Sequence, residues 1–351
     1  MIIIFNRIIG GFTMKLKNQA TAVFISLLMV VIIAVGCGTK EETKTQTESP
    51  QATAAPTAAP TAVPTASAEP TPAANRIVTT ILGDVEIPAN PTRIALTYHD
   101  DIDHLMALGI KPIAVPTYDR TGQIDGYLPY LAEGLKGVEK IGNVPSAEAI
   151  LSTNPDLIIA GYSHKDVIGE LNKIAPTLFF EWKMDWRETH LALGKALGLE
   201  SKAQANIDEY NALLEDAKSK LKAAVGNQTV AFIRLTAKEI RIHGLKDQVP
   251  GYILYDQLGL TPSEGVPKET WAEPISKEVF AQMKVDHIFM HVDEDSDTEL
   301  LKKELLENEI YKNIPAVKNG QVHLVPNHPW NRGGPLAFKE GIQQVLAALI
   351  K

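Results

Sequence analysis

Cysteine is nearly absent from the 351-residue chain, which has one, Cys37. Disulfides and a thiol nucleophile are thereby excluded from everything that follows it. Neither a G-x-S-x-G nor an H-E-x-x-H spacing occurs, so the local signatures of a serine hydrolase and a zinc peptidase are missing. Basic charge is also short. Residues before Cys37 carry Arg7, Lys15 and Lys17 and no acid; taking these three from the 34 Lys and Arg leaves 31 against 42 Asp and Glu, a net charge of −11. That balance argues against nucleic acid or an anionic lipid surface as the main partner, and leaves any affinity for an anion to local arginines. Nine histidines are present, but His99, His164, His190, His243, His291, His323 and His328 fall on different segments without ligand spacing, so no direct metal site is read from them.

One long apolar run occurs at the start, Ala20 to Val35, preceded by Lys15 and Lys17 and ending in Ala34-Val35-Gly36-Cys37. It is too short to span a bilayer comfortably and has the layout of a secretory signal, with Met1 or Met14 as the start. Residues 1–36 are read as a leader. Residues 37–75 are read as a tether: Thr39 to Asn75 is built of Thr, Ala, Pro, Glu and Gln, with Val63 its one large apolar residue, and cannot bury enough surface to fold. Its spaced prolines keep it extended.

The rest contains a repeat. Ser146-Ala147-Glu148 is followed seven residues later by Asp156-Leu157-Ile158-Ile159, and Ser276-Lys277-Glu278 by Asp286-His287-Ile288-Phe289. Each copy reads as a short helix feeding a buried parallel strand, the unit of an α/β layer. Between them, capping-box spacings at Asp185/Glu188 and Ser201/Gln204 predict two helices, the first closed by Gly198. In the second, Ala203, Ile207, Tyr210, Leu214, Ala217 and Leu221 draw one apolar stripe. The expected fold is α/β: two Rossmann-like lobes with mainly parallel central sheets, residues 76–184 and 226–351, joined by helices over 185–225, with a ligand cleft between the lobes.

In the first lobe, Ile77 to Ile87 is expected to form a hairpin turning at Gly83-Asp84, and Asp101 to cap a helix over Ile102 to Leu108. Strands at 93–97, 111–115, 156–160 and 178–180 each end in a loop with an aromatic or His: Tyr98, Tyr118, Tyr162 and Trp182. Open α/β sheets bind ligands outside the carboxyl ends of their strands, so these four mark a candidate binding face. In the second lobe, strands are expected at 229–235, 240–244, 286–291 and 321–325, the third leading into an acidic stretch to Asp297. A long loop, Asn327-His328-Pro329-Trp330-Asn331-Arg332-Gly333-Gly334-Pro335, precedes a closing helix over 336–350.

Pro91-Thr92-Arg93-Ile94-Ala95-Leu96, Leu105 to Val115, Ile141-Gly142, Glu148-Ala149-Ile150 and Asn154-Pro155-Asp156-Leu157-Ile158-Ile159, in this order, resemble the solute-binding lipoproteins of iron-siderophore ABC importers, which also include cobalamin and haem binders. The match runs from about Arg76 to Lys351. The resemblance implies a monomeric, non-enzymatic extracytoplasmic protein without a cofactor, whose ligand is a ferric siderophore and whose partners are the membrane permease subunits. It makes Cys37 the lipidated residue that anchors the chain to the outer face of the cytoplasmic membrane. Glu148 and Glu278 become the carboxylates that dock each lobe onto the permease, and Arg187 and Arg234 the arginines aimed at the ligand from either side. Tyr98, Tyr118, Tyr162, Trp182, Trp271 and Trp330 are the flat side chains expected to line the site, with Arg332 and Arg241 as further cations. His291 or Tyr118 is a speculative ligand of the iron itself. Two alternatives stay open: haem or cobalamin as the ligand of the same fold, and a tethered cell-wall hydrolase.

Overall fold

The computed structural model describes residues 74–118, 126–236, 238–246, 248–292, 303 and 307–350. The leader, Cys37, nearly all of the tether and residues 293–297 of the acidic stretch lie outside them.

The chain enters through an antiparallel hairpin, β1 (Arg76–Thr80) and β2 (Gly83–Ile87). Thr80 pairs with Gly83, so the turn falls at Ile81-Leu82, not at Gly83-Asp84. Gly83 itself takes the positive φ of 116° that lets β2 leave the turn. β3 (Ile94–Leu96), β4 (Ala114–Val115), β5 (Glu139–Lys140), β6 (Leu157–Ala160) and β7 (Thr177–Phe179) form a parallel sheet in the order β5-β4-β3-β6-β7. The reversal of strand order beside β3 opens a crevice at the strands' carboxyl ends. Helix α1 (His99–Ala107) follows β3 at once. It begins two residues before Asp101, with Tyr98 as an N-cap that makes no side-chain cap bond, so Asp101 is a buried residue of its first turn and not its cap.

Helix α2 (Ala147–Ser152) is capped by Ser146, whose hydroxyl accepts from Ala149 N at 3.2 Å. The two bridging helices are α3 (Arg187–Leu197) and α4 (Glu200–Ala224). Gly198, with φ 73°, closes α3. Gly194 lets the pair approach: a Cβ there would lie 2.6 Å from the Ala203 methyl. α4 starts from Leu199, one residue after that left-handed turn, so Ser201 is not its cap. Its buried residues are the stripe read from the sequence, Ala203 through Leu221. Ala203 joins the core of the first lobe, whereas Ile207 to Leu221 pack into the core of the second.

The second sheet comprises β8 (Thr229–Leu235), β9 (Ile240–His243), β10 (Thr261–Pro262), β11 (Ala272–Ile275), β12 (His287–Val292) and β13 (Val322–Val325). β8, β10, β12 and β13 are parallel; β9 and β11 continue one edge antiparallel. The repeat recurs as structure. Helix α5 (Lys277–Ala281) is capped by Ser276 as α2 is by Ser146, at 3.2 Å to Val279 N. Asp156 accepts from Thr92 N and Arg93 N, and Asp286 from Thr229 N and Oγ1, all within 2.8–2.9 Å. Each Asp thus ties the start of its own strand to the start of the neighbouring one.

After β13 come α6 (Asn327–Trp330) and α7 (Pro335–Leu349). α7 has no side-chain cap of its own. Its first amides are taken instead by Asp103 of α1, with Oδ1 accepting from Leu336 N at 2.8 Å and Oδ2 from Ala337 N at 2.9 Å. Oδ2 also accepts from Tyr130 Oη at 2.9 Å. A buried acid of the first lobe therefore caps the closing helix of the second. Asp103→Ala strands three donors, which outweighs the relief of burying one carboxyl. Unfolding should cost about 2 kcal/mol less, lowering Tm by roughly 5 °C, as calorimetry would show; an unchanged Tm contradicts this.

Candidate functional site

Strand periodicity builds one wall. Arg234 on β8 stands opposite Arg241 on β9 and His291 on β12. With a period of two, Phe232 and His243 lie on that same face. A cavity of about 160 Å³ opens there, lined by Phe232, Arg234, His243, Trp271 and His291 from the sheet and its edge, by Gln248 and Pro250, and by Asn327, Trp330 and Asn331 from the loop after β13. His243 is buried, and neither of its ring nitrogens has a hydrogen-bond partner. Burial first, then the nearby Arg234, Arg241 and His291, push its pKa down to about 3. It is therefore a neutral imidazole, able to donate or accept once toward a ligand. Asn331 Oδ1 is likewise buried without a partner. Trp271, 42% exposed, offers an open ring.

A second, narrow cavity lies at the carboxyl ends of the first sheet. Tyr98, Tyr162, Phe180 and Trp182 supply rings, Asp100, Asp101 and His104 come from α1, and Gly333 closes it. Asn331 lines one cavity and Gly333 the other, so a single loop runs between them. That loop is fastened to the first lobe: Asn327 Nδ2 donates to Tyr118 Oη at 2.8 Å, the Arg332 guanidinium lies 5.4 Å over the Tyr118 ring, and its Nη1 is 3.7 Å from Asp100.

Burial raises Asp100 to about 6 against the pull of Arg332, the Gly333 amide and the Trp182 indole. It raises Asp101 to about 8, with the charge of Asp100 adding to the effect and no cation opposing it. Beneath lies a histidine relay. The Asn206 amide donates to Ala107 O at 2.8 Å and to His190 Nε2 at 3.0 Å, which leaves His190 its proton on Nδ1. That proton goes to His104 Nδ1, 3.1 Å away, so His104 keeps its own on Nε2. Burial lowers both, His104 to about 3 and His190 to about 4.

Residues 94–329 match the family described as periplasmic binding protein. The chain belongs to the periplasmic binding protein family. It is 30% identical over 334 residues, 91% of this chain and 94% of the relative, to the probable siderophore-binding lipoprotein YfiY of Bacillus subtilis strain 168. It is 28% identical to the iron(3+)-hydroxamate-binding protein FhuD of the same organism, over 77% of this chain and 84% of the relative. Among solved structures, a FhuD fold-family component of a Fep/Fec-like ferrichrome ABC transporter from Bacillus subtilis superposes with a TM-score of 0.66 at 28% identity, covering 77% of this chain and 98% of that one. Staphylococcus aureus SirA complexed with staphyloferrin B gives 0.63 at 25% identity, covering 78% and 98%.

On this periplasmic binding protein the expected site residues separate. Arg234, Trp271, Trp330 and His291 line the first cavity, and Tyr98, Tyr162 and Trp182 the second. Arg187 lines neither. Asp185 lies 3.0 Å from its guanidinium, which also donates to Asn211 at 2.9 Å and Gln257 at 3.4 Å and rests 4.9 Å over Tyr210. It ties α3 to α4 and the second lobe and stands outside the lining of the cavity that holds Arg234. Arg241 is paired with Glu239 and lies 5.0 Å over Trp271, bracing that ring from outside the cavity lining. Trp330 is 1% exposed; its indole donates to Gln344 and its ring packs on Phe232 and Phe289, so it forms the wall and presents no open face. Tyr118 is buried edge-on against His99 and His328. Among the described residues no three His, Cys, Asp or Glu side chains converge as a metal-holding group.

Glu148 and Glu278 are fully exposed at matching places in the two repeats. Each lies in the first turn of its helix: its own backbone amide and the Ser146 hydroxyl hold Glu148 below the usual carboxylate range, and the Ser276 hydroxyl and its own amide do so for Glu278. Sequence reasoning missed His243, Gln248, Asn331, Asp100 and Asp101. Only His243 left a signal, two residues from Arg241 on an alternating strand.

The buried acids set a pH dependence. Between pH 6.5 and 8.5 the folded chain holds protons on Asp103, raised by burial to about 7, and on Asp101, about 8, that the unfolded chain has already released. Folding then takes up protons, so stability falls as pH rises through this window. The histidines with lowered pKa oppose this only below about 6.5, where the unfolded imidazole becomes charged. Tm of the unliganded protein should be lower at pH 8.5 than at pH 6.5; a rise would contradict these assignments.

Proposed function

We propose that this protein is the extracytoplasmic solute-binding component of an ABC importer, which captures an iron(III)-siderophore and delivers it to the permease without chemistry of its own. The observation that carries this reading is the first cavity: a guanidinium, a neutral histidine with both nitrogens unpartnered and an open indole converge on one sheet face. A ferric chelate presents oxygen-rich, often anionic surface with flat ligand arms. Arginine keeps its charge on desolvation and offers a fork of donors, and the indole offers a stacking face. The name of YfiY as a siderophore-binding lipoprotein and the staphyloferrin B bound by SirA support that ligand class. Cys37, in its Ala-Val-Gly-Cys setting, would hold the body at the membrane through a lipid, and no helix of the described residues is long and apolar enough to cross one.

Exposed carboxylates at equivalent positions of two lobes suit a two-point ionic contact with the permease. Such rim charges steer association and fix register while burying little area.

The full chain in detergent should show saturable tryptophan quenching with a ferric hydroxamate or carboxylate siderophore, because Trp182 and Trp271 stand open to the cleft. Arg234→Ala should weaken binding by about tenfold, the loss of one charge-assisted contact. No saturable change with any ferric siderophore, or a Soret band on mixing with haem, would overturn the ligand class. Glu148→Ala with Glu278→Ala should leave siderophore affinity unchanged while cutting cellular iron-siderophore uptake severalfold; undiminished uptake would remove the docking role.

A further inference from the structure

Asp101 is an acid that the folded protein holds away from water only by keeping it protonated, its pKa raised to about 8 by burial. It is 6% exposed, and its Oδ2 is fully buried with no hydrogen-bond partner. An unanswered carboxylate oxygen away from water is costly, and a persistent one calls for a ligand. The basic groups nearby are taken: Arg332 is turned to Asp100, and Lys183, on the rim of the same cavity, pairs with Glu188 at 2.7 Å. His104 is kept neutral by the relay through His190 and Asn206. The remaining walls are rings: Tyr98, Phe180, Tyr162 at 71% exposure and Trp182 at 40%. A Cβ on Gly333 would come 3.1 Å from Trp182 Nε1, so the glycine lets that indole close over the acids.

Two acids, each with an oxygen lacking a hydrogen-bond partner, inside an aromatic surround suit a small organic cation, whose arrival would draw the proton from Asp101 so that its charge is met by oxygen and its flanks by π faces. The enclosed space is that of about one water-sized group, which admits an ammonium but not the body of a chelate. We propose that this cavity is a subsite for a protonated amine on the periphery of the iron chelate, with the ammonium against Asp101 and the rings of Tyr98 and Trp182 around it. The proposal rests on the siderophore reading and sharpens it. The second-lobe wall, with Arg234, receives the oxygen-rich core, and the first-lobe wall selects chelates that carry a free amine.

The test uses the full chain and two probe pairs. Ferrioxamine B, which has a terminal primary amine, should quench tryptophan fluorescence at about tenfold lower concentration than its N-acetylated form, the worth of one charge-assisted contact. That ratio should fall to near one in Asp101→Asn. Separately, n-propylammonium chloride should move the indole ¹H–¹⁵N resonance of Trp182, assigned with Trp182→Phe, saturably, whereas 1-butanol should not. Asp101→Asn should also raise the Tm of the unliganded protein, since it removes an uncompensated buried acid. Equal affinity for the two chelates, with no Trp182 shift from propylammonium, overturns the subsite while leaving the siderophore reading in place. If neither chelate binds but propylammonium shifts Trp182 in the unaltered protein and not in Asp101→Asn, the subsite stands and the hydroxamate reading fails. The chelate ratio on the unaltered protein decides the matter even if the variant does not fold.

Discussion

The carboxylate of Asp103 holds the two halves in register. Its oxygens reach out of α1 to the first amides of α7, a helix more than 230 residues further along the chain, and Tyr130 braces it from the side. A helix end buried without a cap would leave amides unsatisfied, and α7 has no cap of its own. The acid makes the closing helix of one lobe dependent on the first helix of the other. The loop that precedes α7 is fixed by the same bond, and that loop carries Asn331 to one cavity and Gly333 to the other.

Around that anchor the site is built from groups of contrasting electrostatics. The second sheet brings cations and neutral imidazole to its face, and the first brings carboxylates and rings to its carboxyl ends. Neither wall is self-sufficient: His243 keeps two nitrogens without partners, Asn331 one oxygen and Asp101 another. Buried polar atoms are paired in most folded proteins, so such a concentration beside two cavities is where free energy has been withheld from folding and kept for a ligand.

Much of this architecture was legible in the sequence because it is periodic. The α4 stripe, the buried strands and the doubled Ser-x-Glu…Asp pattern each express a repeat of 3.6, of two, or of the lobe itself, and they recur as read. What the sequence did not show was set by contacts between distant residues. Trp330 looked like an open face because its neighbours in sequence are glycine and arginine, but Phe232, Phe289 and Gln344 bury it. Arg187 sat where a ligand arginine would sit, yet Asp185 and Asn211 claim it. Tyr98-His99-Asp100 read as the loop after a strand, and Asp101 as the cap of the helix that follows. His99, Asp100 and Asp101 are buried because α1 begins inside the molecule, under the loop from the other lobe.

The division of the α4 stripe sets the mechanics. One methyl of that 25-residue helix, Ala203, belongs to the first core, and the rest of its buried face to the second. The helix is therefore a lever built onto one lobe, pivoting where Gly194 and Gly198 bring it against the other. A long helix that belongs to one core and meets the other at a single methyl couples the lobes through little area, so whatever turns the second lobe carries α4 with it.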